Sequence, residues 1–293
     1  MRIAPVTGAG RGIGREIARQ LAEHGMTVLA GVRDESHAPE GTRPLLLDVT
    51  GEAAVANAAK VVGEGFGRLD VLVNNAAICG DLGTPPAEVT AEHMRATYEV
   101  GVFGVVAVTH AMLPLLRASG QARVVNMTTR LASLALTSAG DGVNAEWAMP
   151  AYNSAKSALN AITVLYANEL DGSGILVDAV DPGHCATDLT GHTGTRTAAR
   201  GAAVAVRMAT LDAGGPTGTF SSEEDRSPGS RTPGLGHDDR KVARGMRARG
   251  VPRARPTLTA RRTAHRTVKD VGPVRPSGWR GMSSCGQKVA NGA

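Results

Sequence analysis

The chain has 293 residues, of which 42% are hydrophobic and 20% charged, with 32 Lys and Arg against 27 Asp and Glu. This apolar content is enough to bury a core, which excludes disorder throughout the chain, and no uninterrupted apolar run approaches the roughly 18 residues of a membrane span. The three cysteines lie far apart without metal-ligand spacing. We therefore expect no disulfide scaffold, no metal site and no secretory signal, and a reducing, cytoplasmic location.

Short apolar runs alternate with helical periodicity over the first 220 residues. The runs predict seven strands, at Ile3–Thr7, Thr27–Val32, Pro44–Leu47, Asp70–Asn74, Arg123–Met127, Leu176–Val180 and Thr217–Phe220. Amphipathic stretches predict helices near residues 13–24, 52–64, 91–118, 152–171 and 197–211. Several runs are apolar throughout, which is typical of strands covered on both faces. The alternation predicts an α/β fold with a doubly wound parallel sheet of the Rossmann type.

A glycine-rich loop follows the first predicted strand and opens the first predicted helix. Gly8, Gly12 and Gly14 stand in a GxxxGxG spacing, with Arg11 and Ile13 between them. Glycines let the backbone approach a pyrophosphate closely, and the helix N-terminus offers free N–H groups and a favourable dipole. The loop therefore predicts a dinucleotide site.

The end of the second predicted strand favours NADP(H) over NAD. Gly31 stands where NAD would need a carboxylate for its free ribose 2′-hydroxyl. Arg33 and Arg11 could instead clamp a 2′-phosphate through charge-assisted hydrogen bonds. Two alternatives stay open at this point: both arginines are solvated surface residues, or Asp34, the next residue, binds the hydroxyl of NAD.

Tyr152 and Lys156 begin the fourth predicted helix at a spacing that puts them on one face. A phenol with a pKa of about 10 is a poor acid–base group at neutral pH. A neighbouring ammonium favours the phenolate, so we expect Lys156 to lower the pKa of Tyr152 towards the working range. Lys156 would keep further donors for a ribose hydroxyl. The pair predicts a general acid–base centre.

Five sequence motifs, taken in chain order, resemble those of the classical short-chain dehydrogenase/reductase family. The residues that carry the resemblance are Thr7–Gly14, Asn74–Ala77, Val125–Thr129, Tyr152–Lys156 and Pro182-Gly183. It runs from about residue 2 to Phe220, and the last predicted strand is similar to that of the carbonyl-reductase-like subgroup. The resemblance implies a seven-stranded Rossmann sheet and hydride transfer between a nicotinamide and a small-molecule carbonyl or alcohol; with the preference drawn from Arg33 and Arg11, the expected cofactor is NADP(H). From the lack of a long apolar run we expect no membrane partner, and the oligomeric state stays open.

Carried over by position, the resemblance also implies which residues hold the cofactor. Asp48 would contact the adenine, Asn75 would approach the cofactor, and Thr187 would contact the nicotinamide amide. Asn74 would tie neighbouring strands together. The full set of expected cofactor-binding residues is Gly8, Arg11, Gly12, Ile13, Gly14, Arg33, Asp48, Val49, Asn75, Tyr152, Lys156, Pro182 and Thr187.

The same resemblance makes Tyr152 the acid–base, Lys156 its partner, and Thr129 the replacement for the family's catalytic serine. Two further departures from the family pattern weigh against turnover. Gly101 replaces an asparagine that holds a proton-relay water, and Pro5 lies in the first predicted strand, where its missing N–H removes a ladder bond. The alternative function is therefore a nucleotide-binding protein of the same fold with weak or no turnover.

Residues 221–293 differ from the rest of the chain. They carry 16 basic and 6 acidic side chains, against 16 basic and 21 acidic in residues 1–220, and contain only eight Leu, Ile, Val and Phe residues. Such a segment cannot offset its ordering entropy, so we expect one Rossmann domain, residues 1–220, and a basic disordered tail. The tail is either an arm for nucleic acid or the product of an altered reading frame. With Trp279 as its one aromatic residue it lacks stacking groups, and we do not expect nucleic acid as a partner.

Overall fold

The computed structural model of the chain describes residues 1–139 and 147–223. Their seven strands are β1 (Ile3–Thr7), β2 (Thr27–Val32), β3 (Arg43–Leu46), β4 (Val71–Asn74), β5 (Ala122–Met127), β6 (Ile175–Asp181) and β7 (Phe220–Ser222). The α-helices between them are α1 (Gly12–Glu23), α2 (Glu52–Phe66), α3 (Ala91–Tyr98), α4 (Gly104–Ser119), α5 (Leu134–Ser138), α6 (Pro150–Glu169) and α7 (Ala198–Thr210). A π-helical segment, Glu99–Phe103, joins α3 to α4.

The strands form one parallel sheet in the order β3-β2-β1-β4-β5-β6-β7. The predicted doubly wound Rossmann sheet with seven strands is therefore confirmed. The strand order reverses between β1 and β4, where ligands bind in open α/β sheets, outside the carboxyl ends of the strands. The topology thus places the glycine loop after β1 and the loop after β4 on either side of a binding crevice.

The prediction for the last strand was wrong in its position. The segment predicted as a strand, Thr217–Phe220, contacts β6 through both backbone and side-chain hydrogen bonds: the N–H of Gly218 donates to the carbonyl of Val177 at 2.8 Å, and the N–H of Ala179 donates to the carbonyl of Thr219 at 2.9 Å. Thr217 Oγ1 accepts a hydrogen bond from the backbone N–H of Val177, and Thr219 donates from its backbone to the carboxylate of Asp178. Regular pairing begins only at Phe220. The predicted division of the chain at residue 220 stays a prediction, because residues 224–293 lie outside the described part, and so does the disorder expected there.

Helices cover both faces of the sheet and bury an apolar cluster on each. On one face, α1 and α7 pack on the central strands, with Ile17 and Leu21 fully buried. On the other face, α2 and α4 bury Val62, Met112 and Leu116 against the opposite side of the same strands. Burying a side chain of this size stabilises a fold by about 1.5–3 kcal/mol. The two apolar clusters fix the strands in the sheet, and the carboxyl ends of these strands form the candidate site.

The helical stretch Ala91–Ser119 is long and apolar enough, by length and composition, to cross a membrane. Core helices pass the same test. Here Val108, Met112 and Leu116 of α4 are buried in the apolar cluster on one face of the sheet. Packing in the core thus accounts for the apolar side chains on this face of the helix.

Pro5 disturbs β1 in the way that its missing N–H predicts. The N–H of Ile3 points towards β4, where it donates to the carboxylate of Asp70. Residues two apart in a strand face the same neighbour, so Pro5 has no N–H to offer on that side. The ladder between β1 and β4 has a single aligned pair, Val6 with Val73. The side chain of Asp70 supplies an acceptor that the shortened ladder does not.

Candidate active site

A cavity of about 1020 Å³ lies at the carboxyl ends of the strands. Its lining includes every residue that the sequence predicted for the site: Gly8, Arg11, Gly12, Ile13, Gly14, Arg33, Asp48, Val49, Asn75, Thr129, Tyr152, Lys156, Pro182 and Thr187. These residues come from loops after six strands and from the start of α6. The fold therefore brings all of them together, although their individual roles remain predictions.

The glycine loop is a cradle that side chains would fill. A Cβ at Gly14 would overlap the carbonyl oxygen of Gly8 and the side-chain amide of Asn75. Gly8 and Gly12 have φ angles of +65° and +53°, in the left-handed region that favours glycine. The loop ends at the N-terminus of α1, whose first N–H groups have no partner within the helix. This geometry fits a pyrophosphate, which needs close backbone approach and free N–H donors.

Two asparagines at the end of β4 connect the elements that border the crevice. Asn75 Nδ2 donates to the backbone carbonyl of Thr7 at 2.9 Å, which ties the glycine loop to the end of β4. Asn74 Nδ2 donates to Asn126 Oδ1 at 2.9 Å and to Thr109 Oγ1 at 3.1 Å. Asn74 thus links β4, β5 and α4, as the resemblance implied.

Arg33 and the charged residues near it form one end of the cavity. Arg33 is exposed, lines the cavity and has no carboxylate within 4.0 Å among the residues that the structure describes. Arg11, the second arginine of the predicted clamp, pairs with Asp188 at 2.8 Å. Asp34 is not among the residues that line the cavity, and its carboxylate accepts hydrogen bonds from the backbone and hydroxyl of Ser36 at 2.9 and 2.7 Å. Arg33 is therefore a cation at this end of the cavity that no carboxylate of the described residues neutralises.

Asp48 and Val49 lie just after β3. The carboxylate of Asp48 accepts hydrogen bonds from the backbone N–H of Thr50 at 3.0 Å and from its hydroxyl at 2.8 Å. These bonds hold the pKa of Asp48 below its usual value, and the charge of Arg33 acts in the same direction. Asp48 is thus an ionised acceptor at neutral pH.

Tyr152 and Lys156 lie one helical turn apart in α6, with Lys156 Nζ 5.7 Å from the centre of the Tyr152 ring. Nζ also donates to the backbone carbonyl of Met127 at 2.7 Å, and burial lowers the pKa of Lys156 to about 8. Burial raises the pKa of Tyr152, and nearby Cys79 and Asp181 add to the increase. The expected lowering by Lys156 was therefore wrong: burial dominates, and the phenol is protonated at neutral pH.

Thr129 and Gly101 are two of the departures from the family pattern, and Thr129 lines the cavity together with Tyr152 and Lys156. Thr129 Oγ1 accepts a hydrogen bond from the N–H of Leu131 at 3.3 Å, which leaves the hydroxyl proton to be donated. Gly101 is buried in the π-helical segment Glu99–Phe103, and a Cβ added there would meet no atom within 4 Å. Segments of this kind occur frequently at functional sites. Open space therefore remains where the family has its asparagine side chain.

Sequence reasoning missed Asp81, which holds the helix that carries Tyr152. Asp81 is fully buried in the loop after β4. Its carboxylate accepts hydrogen bonds from the backbone N–H groups of Ala151 at 2.7 Å and Tyr152 at 3.3 Å. The N-cap residue of α6, Met149, provides no side-chain hydrogen bond. A carboxylate at a helix N-terminus satisfies free donors and complements the helix dipole, so Asp81 fixes the first turn of α6.

Replacing Asp81 with Ala is expected to lower the free energy of unfolding by about 1–3 kcal/mol, because buried N–H donors lose their acceptor. The change Asp81→Asn keeps an acceptor oxygen, so its loss of unfolding free energy should be less than half of the loss in Asp81→Ala. Denaturant unfolding of the three proteins measures both effects. Equal losses in the Ala and Asn variants would show that the helix N-terminus does not depend on this acceptor.

Comparison with known proteins gives consistent matches. The family described as short chain dehydrogenase matches residues 2–198. A short-chain dehydrogenase of Penicillium roqueforti is 36% identical over 221 residues, which cover 70% of this chain and 87% of that protein. A short-chain dehydrogenase/reductase of Saponaria officinalis is 31% identical over 291 residues, covering 78% of this chain and 96% of the relative.

Solved structures share the fold. Salutaridine reductase from Papaver somniferum superposes with a TM-score of 0.63 at 26% identity, covering 75% of this chain and 99% of the other. The NADPH-bound carbonyl reductase from chicken fatty liver has a TM-score of 0.67 at 24% identity, covering 76% of this chain and 98% of the other. At that identity the likeness of the second structure concerns the fold alone.

Proposed function

The chain belongs to the short-chain dehydrogenase family, and from this premise we propose that it reduces a carbonyl substrate with NADP(H), Tyr152 acting as the proton donor. As a member of this family, the protein is an oxidoreductase that transfers hydride. NADP dependence, the role of Tyr152 and the direction of the reaction are the parts that we propose.

The position of Arg33 supports NADP(H) over NAD. Arg33 lines the cavity without a carboxylate partner among the described residues, whereas the carboxylate of Asp34 caps the next turn. Gly31 at the end of β2 offers no acceptor side chain, and a Cβ there would lie 2.9 Å from the carbonyl oxygen of Val6. A guanidinium without a competing carboxylate binds a phosphate by charge-assisted hydrogen bonds.

The arrangement around Tyr152 supports reduction of a carbonyl. When bound, the nicotinamide supplies the hydride. The hydroxyl of Thr129 donates to the substrate oxygen and orients it, and the partly buried phenol of Tyr152 gives that oxygen a proton as negative charge develops on it. Lys156, held at Nζ by the carbonyl of Met127, stabilises the phenolate that remains and keeps two donors for a ribose hydroxyl.

Replacing Arg33 with Ala is expected to weaken NADPH binding by about 10- to 100-fold, the effect of losing a charge-assisted hydrogen bond of about 1.5–3 kcal/mol. NADH, which lacks the 2′-phosphate, should bind both proteins with similar affinity. Fluorescence titration with each nucleotide measures the effect.

The matched control for this variant is Arg19→Ala. Arg19 lies on the exposed face of α1, outside the cavity, in ion pairs with Glu16 and Glu23. Its replacement should leave both affinities unchanged. Tighter binding of NADH than NADPH by the natural sequence, or an equal loss of both nucleotides in Arg33→Ala, would contradict the assignment of NADP(H).

A second candidate function rests on Gly101. The open space at this buried position lacks the asparagine side chain that the family uses for its proton-relay water. A protein of this fold that binds NADPH with weak or no turnover is therefore the rival proposal. NADPH oxidation in the presence of a panel of aldehydes and ketones separates the two. NADPH binding without oxidation against any member of the panel would favour the rival.

A further inference from the structure

Apolar side chains line the cavity on either side of the predicted catalytic groups. Leu131 lies two residues after Thr129, and Met149 lies three residues before Tyr152. Ile78, Leu82 and Trp147 line the same cavity. Met149 is buried, with Sδ 3.4 Å from the thiol of Cys79. A substrate bound at Tyr152 would thus meet mainly carbon and sulfur.

Two rings from different segments meet at this wall. Trp147, before α6, and His184, after β6, have ring centres 4.9 Å apart at an angle of 61°. The Nε2 atom of His184 is also 3.3 Å from Thr193 Oγ1. Rigid aromatic surfaces of this kind bury flat apolar ligands with little loss of side-chain freedom.

Two arginines of the cavity lining, Arg130 and Arg196, already have carboxylate partners. Arg130 lies 3.3 Å from the carboxylate of Asp181, and Arg196 lies 3.3 Å from that of Glu223. Lys156 is a further cation of the lining, and its Nζ donates to the carbonyl of Met127. A carboxylate or phosphate on the substrate would lose its hydration and, among residues 1–139 and 147–223, would find these cations already engaged, which is costly in an apolar site. Arg33, at the other end of the cavity, has no such carboxylate partner among the described residues. The cavity thus suits an anionic ligand near Arg33 and a neutral ligand near Tyr152.

We propose that the substrate of this site is a neutral, largely apolar ketone that carries a ring, and that carboxylated or phosphorylated carbonyl compounds are poor substrates. The inference rests on the proposed carbonyl reduction and deepens it. The proposal concerns the part of the substrate next to the reacting carbonyl. This part would lie between Tyr152 and the ring pair of Trp147 and His184.

A matched pair of ketones tests the proposal. The compounds 4-methylcyclohexanone and 4-oxocyclohexanecarboxylate share a ring and differ by one charge. We expect kcat/KM for the neutral ketone to exceed that for the carboxylate by about tenfold or more, since tenfold corresponds to about 1.4 kcal/mol, less than the cost of burying an unmatched charge. Equal or reversed values would overturn the substrate class and leave the proposed reduction standing.

Ligand binding can be measured without turnover. The chain has two tryptophans, Trp147 and Trp279, so the variant Trp279→Phe reports on Trp147 alone. The neutral ketone should change this fluorescence at concentrations about tenfold lower than the carboxylate does. If neither ketone is reduced, the titration decides the substrate class, and the panel of aldehydes and ketones decides the proposed reduction. A fluorescence response as strong with the carboxylate would overturn that class.

A positive charge at Leu131, one of the apolar residues of the lining, should change the preference for the neutral ketone over the carboxylate. In Leu131→Lys, an added ammonium has no assigned carboxylate, so we expect the tenfold ratio between the two ketones to narrow to about threefold or less. The matched variant Leu131→Gln adds a polar group without charge and should leave the ratio closer to that of the natural sequence. A ratio that is unchanged in Leu131→Lys would show that charge at this wall does not select the substrate.

Discussion

The change Tyr152→Phe is expected to lower kcat for carbonyl reduction by about 10²- to 10⁴-fold, the range for removing a general acid. The substitution removes only the hydroxyl and keeps the ring at the start of α6. NADPH should therefore bind the variant with nearly the affinity of the natural sequence, and the loss should fall on kcat. Steady-state kinetics with an accepted ketone and a fluorescence titration with NADPH give the two quantities separately.

The control for Tyr152→Phe is Tyr166→Phe. Tyr166 lies in the same helix, is partly buried and does not line the cavity. Its phenol should contribute nothing to proton transfer, and we expect kcat to stay within about twofold, since a phenol without a catalytic role contributes no transition-state stabilisation. Equal rates for Tyr152→Phe and the natural sequence would remove Tyr152 from its proposed role.

The parts of the site that the sequence predicts well are those held in short segments. The glycine loop is eight consecutive residues, Thr7–Gly14, between a strand and a helix, and Tyr152 and Lys156 are one helical turn apart. Local geometry alone determines what these residues can do. Because parallel strands all end at one edge of the sheet, the order of the strands then brings the short segments to one crevice.

The parts that the sequence did not predict depend on contacts between distant residues. Asp81 caps α6 across 70 residues of chain, and Arg11 pairs with Asp188 across 177. The direction of the Tyr152 pKa depends on how much of the phenol the complete fold buries. A spacing rule contains no measure of burial, so it overestimates the effect of the neighbouring Lys156.

Replacing Asp178 with Ala is expected to lower the free energy of unfolding by about 3–5 kcal/mol, because it leaves the buried guanidinium of Arg123 without a carboxylate. Both residues are at most 3% exposed, and Arg123 Nη1 lies 3.8 Å from Asp178 Oδ2. Asp178 also accepts hydrogen bonds from the backbone and hydroxyl of Thr219 at 3.0 and 2.8 Å, which join β6 to the segment before β7. Denaturant unfolding at pH 7 measures the loss.

The difference between the natural sequence and Asp178→Ala should depend on pH. Burial raises the pKa of Asp178 to about 6, from an ordinary value of 3.8. As the pH falls through 6, the folded state binds a proton that the unfolded state binds only near 3.8, so acid stabilises the natural sequence relative to the variant. We expect the difference to be larger at pH 5 than at pH 7. A smaller difference at pH 5 would contradict the raised pKa.

A double variant identifies the source of the loss. Arg123→Met combined with Asp178→Ala removes both buried charges, and replacing a buried ion pair by apolar groups is often neutral or stabilising. Arg123 also donates to the backbone carbonyls of Leu211 and Asp212, so recovery should be partial. We expect the double variant to be more stable than Asp178→Ala, since a charge without a partner costs more than the bonds that Arg123 makes. If the double variant is no more stable than the single one, the loss comes from the bonds to Thr219, and the buried guanidinium is satisfied without Asp178.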